Sequence, residues 1–178
     1  ADENVMSAKS MAKLAYHLLK DHPEVQKKKK IAKKTFREGT DDAIEMSNWN
    51  FMLPGLVFEY EGVDGLKTGT TDFAGHCFTG TAERDGTRLI AVVMKAVDSQ
   101  GVGSYKARFD ATAKLFDYGF GQFKEQELVP ANYVVEDQKS IPVTKGKEDS
   151  VGIATKDDLS FMIKSSDKDA YKTKLILD

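Results

Sequence analysis

The sequence predicts an α/β fold of the α+β type: an antiparallel sheet with helices packed on it, followed by a small all-β domain. Three observations carry that expectation. Apolar residues recur at helical spacing near the start of the chain and again after residue 104. Between those stretches lie three strand-like runs, two of them joined by Asp85-Gly86. After Phe123 the pattern changes to short apolar runs separated by polar turns, the spacing of a compact β domain.

The first helix is read from Met11, Leu14, Ala15, Leu18 and Leu19, which repeat as one helical face, with Ser7 as its N-cap and Pro23 as its limit. Lys27 to Lys30, with Lys33 and Lys34, form a basic cluster, read as a solvated face or as a contact with an anionic polymer or membrane surface. Pro54-Gly55 marks a turn after Phe51-Met52-Leu53. The strands follow: one through Lys67, then Phe78 to Glu83 and Arg88 to Lys95, with Asp85-Gly86 as a hairpin turn and the Lys67 strand at the edge. Gly101 and Gly103 are expected to open a second helix, with Tyr105, Phe109, Ala113, Phe116 and Phe120 along one face and Gly119 and Gly121 ending it. The domain boundary is placed at residue 122, giving domains 1–122 and 123–178. In the second, strands are expected at Leu128-Val129, Tyr133 to Val135, Ile141 to Val143, Val151 to Ala154, Leu159 to Ile163 and Tyr171 to Leu177.

Composition narrows the function classes. The chain has 178 residues, 40% hydrophobic and 30% charged, enough for a real core. A net charge of −2 gives no general case for nucleic acid. No apolar run reaches the roughly 18 residues of a spanning helix, and the polar start Ala1-Asp2-Glu3-Asn4 does not read as a signal peptide. Cys77 is the single cysteine, so no internal disulfide forms. His17, His22 and His76 have no metal-ligand grouping, so no metal and no cofactor is expected.

The informative stretch is Gly62 to Gly75, centred on Lys67-Thr68-Gly69. An exposed sheet edge of this composition accepts an extended peptide as an added strand. Lys67 supplies positive potential, Thr68 a hydroxyl for an anionic group, and Gly69 clearance. The backbone N–H of Thr70 is then free to point at a developing oxyanion.

Val63-Asp64-Gly65-Leu66-Lys67-Thr68-Gly69-Thr70-Thr71-Asp72, then Ala74-Gly75 and Arg88-Leu89-Ile90-Ala91-Val92-Val93-Met94, closely resembles the low-molecular-mass penicillin-binding proteins, serine-type D-alanyl-D-alanine carboxypeptidases. Lys-Thr-Gly is one of three motifs of the penicillin-recognising serine enzymes. The resemblance implies acylation of a serine by the terminal D-Ala-D-Ala of a peptidoglycan stem peptide, and trapping of β-lactam antibiotics by the same groups. It implies catalytic roles for Lys67 and the Thr70 N–H, with Thr68 and Gly69 binding substrate. Arg108 is the further expected substrate ligand: relatives place an arginine near the start of the helix ending in aromatic-Gly-Phe, here Tyr118-Gly119-Phe120, facing the motif strand. Its guanidinium could fork onto a terminal carboxylate; the alternative is a surface arginine paired to Asp110 or Asp117. The resemblance further implies action outside the cytoplasmic membrane, with the complete protein anchored by a C-terminal segment that this sequence does not contain.

Two of the three motifs are missing. Ser10-Met11-Ala12-Lys13 has the Ser-x-x-Lys spacing but is read as part of a non-catalytic helix, because the family's nucleophile lies far upstream of Lys-Thr-Gly. Ser47-Asn48-Trp49-Asn50 has the wrong register for Ser-x-Asn; it resembles the Asn-x-Asn before the motif strand, with Trp49 read as a packed aromatic where many relatives carry a basic residue. Asp64 is read as orienting the loop or a positive charge, and Cys77 as a small buried residue. The expected protein is therefore the C-terminal portion of a DD-carboxypeptidase, inactive alone. The alternatives are a serine β-lactamase, which the β-rich end opposes, and a non-catalytic wall-binding module of the same fold.

Overall fold

The structure, a computed structural model, describes residues 5–176. The polar start at residues 1–4 and Leu177 of the expected last strand lie outside the described residues. Contacts divide the chain into two compact units, Ala1–Phe120 and Gly121–Asp178.

In the first unit, α1 (Ala8–Asp21) starts where Ser7 caps it, its side chain accepting from Ser10 N–H. The helix buries Ala15 against β5 and β4, while Leu14, on the expected apolar face, stays exposed. Pro23 separates it from α2 (Glu24–Lys29), which carries half of the basic cluster, Lys27 and Lys28 exposed and Lys29 half-buried. The hairpin β1 (Lys33–Phe36) and β2 (Ile44–Ser47) was not foreseen, since its residues are nearly all exposed and show no buried alternation.

The main sheet is antiparallel, in the order β3-β4-β5: β3 (Val63–Thr71), β4 (Gly75–Arg84) and β5 (Thr87–Val93). The motif strand lies at its edge, as expected. Asp85 and Gly86 both have positive φ (48° and 77°), the geometry of a two-residue turn matched to strand twist. β4 starts three residues before the expected Phe78, so only Asp72-Phe73-Ala74 separate it from β3.

The second long helix, α3 (Tyr105–Gln122), begins later than Gly101 or Gly103, with Ser104 Oγ accepting from Ala107 N–H in its first turn. It also runs through Gly119 and Gly121 instead of stopping there. Gly119 has a packing reason: a β-carbon there would lie 2.5 Å from Leu89 Cδ1 of β5. Phe109 and Phe116 close the core over Phe78, Ala82, Ala91, Val63, Met52 and Leu53, with Phe78 and Phe109 edge to face at 5.3 Å.

In the second unit β6 (Phe123–Val129) pairs with β9 (Leu159–Lys164), and β7 (Ser140–Pro142) with β8 (Ser150–Gly152). The expected strand at Tyr133 to Val135 is absent. Asn132 sits at φ 60°, and Gln138 N–H turns back onto Val135, so its pairing among the described residues is a brief exchange with Thr155. Tyr171 to Ile176 likewise forms no strand; after the 3₁₀ turn Ser165–Ala170 it borders an apolar groove of about 560 Å³ with Leu128 and Phe161.

Candidate active site on the edge strand

The two halves of β3 differ. Val63, Gly65 and Leu66 are buried, whereas Lys67, Gly69, Thr70 and Thr71 are exposed. The buried half is clamped from several sides. Arg88 forks onto Asp64, Nη1 to Oδ1 and Nη2 to Oδ2, both at 3.0 Å, and also donates to Thr81 Oγ1 and Glu83. Gln26 of α2 donates to the same carboxylate. Burial works against the Arg88 charge, but its bonds and attraction to Asp64, then Glu83, outweigh it and hold its pKa above the ordinary guanidinium value. Asp64 thus orients a positive charge.

The Asn-x-Asn segment supports the same half. Asn48 donates to the carbonyls of Lys29 and Ile31 and accepts from Asn50 N–H. Buried Asn50 donates 3.0 Å to Gly65 O and accepts from Met52 N–H. These amides are structural fasteners. Trp49 between them is not the packed aromatic expected: it is 71% exposed, touching Phe51 at a centroid distance of 6.1 Å. The flanking amides are what the fold uses, and the residue between them points outward.

Along the exposed half, alternation sends side chains to opposite faces. Thr68 pairs with Phe78 and Thr70 with His76, which puts both hydroxyls on the face covered by α3. Lys67 pairs with Thr79 and leaves on the other face; its ammonium also reaches Thr68 O. Gly69 is exposed, has no left-handed φ, and a β-carbon there would meet nothing within 4 Å. Neither backbone nor packing requires a glycine at this position, so its effect is to keep space in front of the strand open.

Arg108 is 4% exposed on the inner face of α3, with Nη1 3.2 Å from Thr70 Oγ1 and 3.4 Å from Gly69 O. Its Nε has no hydrogen-bond partner among the described residues, and burial lowers its pKa from the ordinary value. The surface alternative is excluded: Asp110 pairs with Lys106 at 2.6 Å and Asp117 accepts from Tyr60 at 2.7 Å. The structure therefore gathers Lys67, Thr68, Gly69, Thr70 and Arg108 at one strand end. Ser10 is elsewhere, its hydroxyl 3.0 Å from that of Ser7 in the first turn of α1.

Sequence reasoning missed the Thr70 side chain and His76, whose Nδ1 lies 3.2 Å from Thr70 Oγ1. A tight β3–β4 turn pairs these positions, but the apolar pattern alone places the start of the second strand too late. Cys77 is half-buried, its Sγ 3.3 Å from Ala74 O. Among the described residues there is no cluster of metal ligands, and no helix long and apolar enough to cross a membrane.

Residues 1–98 match the family model described as D-alanyl-D-alanine carboxypeptidase, and residues 123–178 that of the penicillin-binding protein 5 C-terminal domain. The chain is 32% identical over 161 residues to D-alanyl-D-alanine carboxypeptidase DacF of Bacillus subtilis, covering 90% of this chain and 38% of that protein. It is 32% identical over 174 residues to DacA of Escherichia coli, covering 97% and 36%. The chain thus spans about a third of the length of the curated relatives it matches. Among solved structures, the peptidoglycan synthesis regulatory factor PBP3 of Streptococcus pneumoniae superposes with a TM-score of 0.68 at 34% identity, covering 90% of this chain and 42% of that one. Penicillin-binding protein 5 of Haemophilus influenzae gives 0.67 at 28%, covering 95% and 44%. The fold is that of the penicillin-binding proteins, and the carboxypeptidase model covers more than half of the sequence. The chain belongs to the D-alanyl-D-alanine carboxypeptidase family.

Proposed function

We propose that this chain supplies the Lys-Thr-Gly side of a serine-type D-alanyl-D-alanine carboxypeptidase site. A serine attacks the terminal D-Ala-D-Ala of a peptidoglycan stem peptide, D-alanine leaves, and water hydrolyses the acyl-enzyme. The substrate lies along the open edge of β3. Thr68 and Arg108 hold its carboxylate on one face, Lys67 sets the field around the nucleophile from the other, and the Thr70 N–H forms half the oxyanion hole. β-Lactams present a carboxylate and a carbonyl in the same relation and acylate the same serine. The nucleophile and the Ser-x-Asn motif belong to a part of the enzyme outside these 178 residues. That enzyme acts outside the cytoplasmic membrane, held there by an anchoring segment that follows the β domain. Domains divide at 122/123, a reading supported by the two compact units and the extents of the two family matches.

The observation that carries this reading is Gly69, a glycine that the fold does not need, on an exposed edge between a cation and a hydroxyl. The match of residues 123–178 to a penicillin-binding protein C-terminal domain favours a carboxypeptidase over a β-lactamase.

Labelled penicillin tests it. The 178-residue chain alone forms no adduct, whereas the enzyme carrying the upstream motifs is labelled on a serine outside this sequence and releases D-alanine from a peptide ending in D-Ala-D-Ala. Label mapping to Ser10, or an upstream-complete enzyme that neither labels nor releases D-alanine, would contradict the proposal.

A further inference from the structure

We propose that His76 is a positioning residue of this site, holding Arg108 against the motif strand through the Thr70 hydroxyl; its catalytic consequence rests on the function proposed above. Thr70 Oγ1 lies 3.2 Å from Arg108 Nη1 and 3.2 Å from His76 Nδ1. A guanidinium only donates, so the hydroxyl oxygen accepts from Arg108; its one proton goes to His76 Nδ1 in the Nε2–H tautomer, the one this proposal assigns to His76. His76 is then neutral, with its proton on Nε2. The result is a directed chain from guanidinium to hydroxyl to imidazole, whose members polarise one another.

Protonation of His76 reverses the second link. Nδ1 becomes a donor, and two cations then repel each other across one hydroxyl oxygen. The other contact of Arg108 Nη1 is the longer one, 3.4 Å to Gly69 O, so the guanidinium is the group that gives way. Two cations and one carboxylate lie on the elements around His76. α3 presents Arg108, and the Lys95 side chain after β5 lies against Gly75. Cys77 Sγ donates to Ala74 O, and Lys67 leaves β3 on the opposite face. In the flanking loop, where Ala96 N–H donates to His76 O, Asp98 Oδ1 accepts from the N–H groups of Gln100 and Val102. Acid therefore loosens the carboxylate-binding arginine from the strand end through His76.

The test begins with nitrogen-detected NMR on the 178-residue chain from about pH 5 to 9. The expected result is a neutral His76 protonated on Nε2 at high pH, with the Thr70 amide and Arg108 Nε–H signals shifting along the His76 titration. His76→Gln and Thr70→Val should each abolish that shared transition. Protonation of Nδ1 at high pH, or Thr70 and Arg108 signals that ignore the His76 titration, would overturn the proposal. In the enzyme carrying the nucleophile, acylation by a chromogenic cephalosporin should fall about tenfold through the same transition, the loss of one charge-assisted bond, and this step should vanish in His76→Gln. An unchanged acid step in His76→Gln would overturn the positioning role. Absence of acylation at any pH would overturn the reading of the site itself, and the ring and amide signals remain independent of that outcome.

Discussion

Within one nine-residue strand, Val63 to Leu66 and Lys67 to Thr71 obey different rules. The first part is apolar or clamped: Val63 and Leu66 are buried, Asp64 is forked by Arg88, and Gly65 O is held by Asn50. The second part is polar and exposed except for half-buried Thr68, with no neighbouring strand on its outer side among the described residues in the β3-β4-β5 order. The two glycines make the contrast sharpest. A β-carbon on Gly65 would meet Thr81 Cγ2 at 2.9 Å, and one on Gly69 would meet nothing. Packing demands the first glycine and does not demand the second. A strand anchored at one end can therefore present reactive groups at the other, because fixing the buried half also fixes where the exposed half points.

Substitutions in each half should separate activity from stability. Lys67→Ala has the greatest expected effect: in the enzyme carrying the nucleophile it should slow acylation by a β-lactam more than about a hundredfold while leaving the thermal midpoint nearly unchanged, since it removes a charge from the reacting centre and little packing. Thr68→Ala should slow acylation about ten- to a hundredfold, the loss of one charge-assisted hydrogen bond, again with little effect on the melt. Arg88→Ala, in the other half, should do the reverse. It leaves a largely buried Asp64 charge with only the Gln26 amide as a side-chain donor, costing about 1–3 kcal/mol of stability in a denaturant titration, with the acylation rate of the folded protein kept near wild type.

A weaker effect is expected at Tyr60, just before the strand, whose carbonyl accepts from Val63 N–H. Burial first, then its hydrogen bond to Asp117, pushes its phenol up to about 12, above the usual value near 10. A raised pKa favours the folded state below the unfolded value and loses that contribution as pH climbs. Stability should therefore fall between about pH 10 and 12 in the wild type. Tyr60→Phe should flatten that alkaline fall, as followed by melts across the range.

Much of this was legible in the sequence, for reasons that differ by element. Asp85-Gly86 marks the β4–β5 turn because a turn with positive φ at both positions leaves few other residues. The helix of Met11, Leu14, Ala15, Leu18 and Leu19 was readable from its period, although Leu14 stays exposed, and Lys67-Thr68-Gly69 from residues whose chemistry has little use in a core. The β1–β2 hairpin was hidden because exposed strands carry no buried alternation, and the end of α3 because Gly119 serves a close helix–sheet approach, not a cap. Tyr133 to Val135 looked like a strand by composition, yet a left-handed Asn132 and the turn at Gln138 cut it short. The Thr70–His76 contact depends on register across a three-residue turn, and an error of a few residues in the strand start concealed it.

The glycine pair tests the central claim most directly. Gly65→Ala and Gly69→Ala would each be measured for thermal midpoint and, in the enzyme carrying the nucleophile, for acylation rate by a chromogenic β-lactam. Gly65→Ala should destabilise by about 1–3 kcal/mol, because Thr81 is fully buried and cannot retreat from the new methyl group. Gly69→Ala should keep the wild-type melt and lose acylation, because the methyl group fills the space where substrate lies. A Gly69→Ala protein that acylates at full rate, or one whose melt collapses like that of Gly65→Ala, would contradict the division of β3 into a structural half and a substrate-binding half.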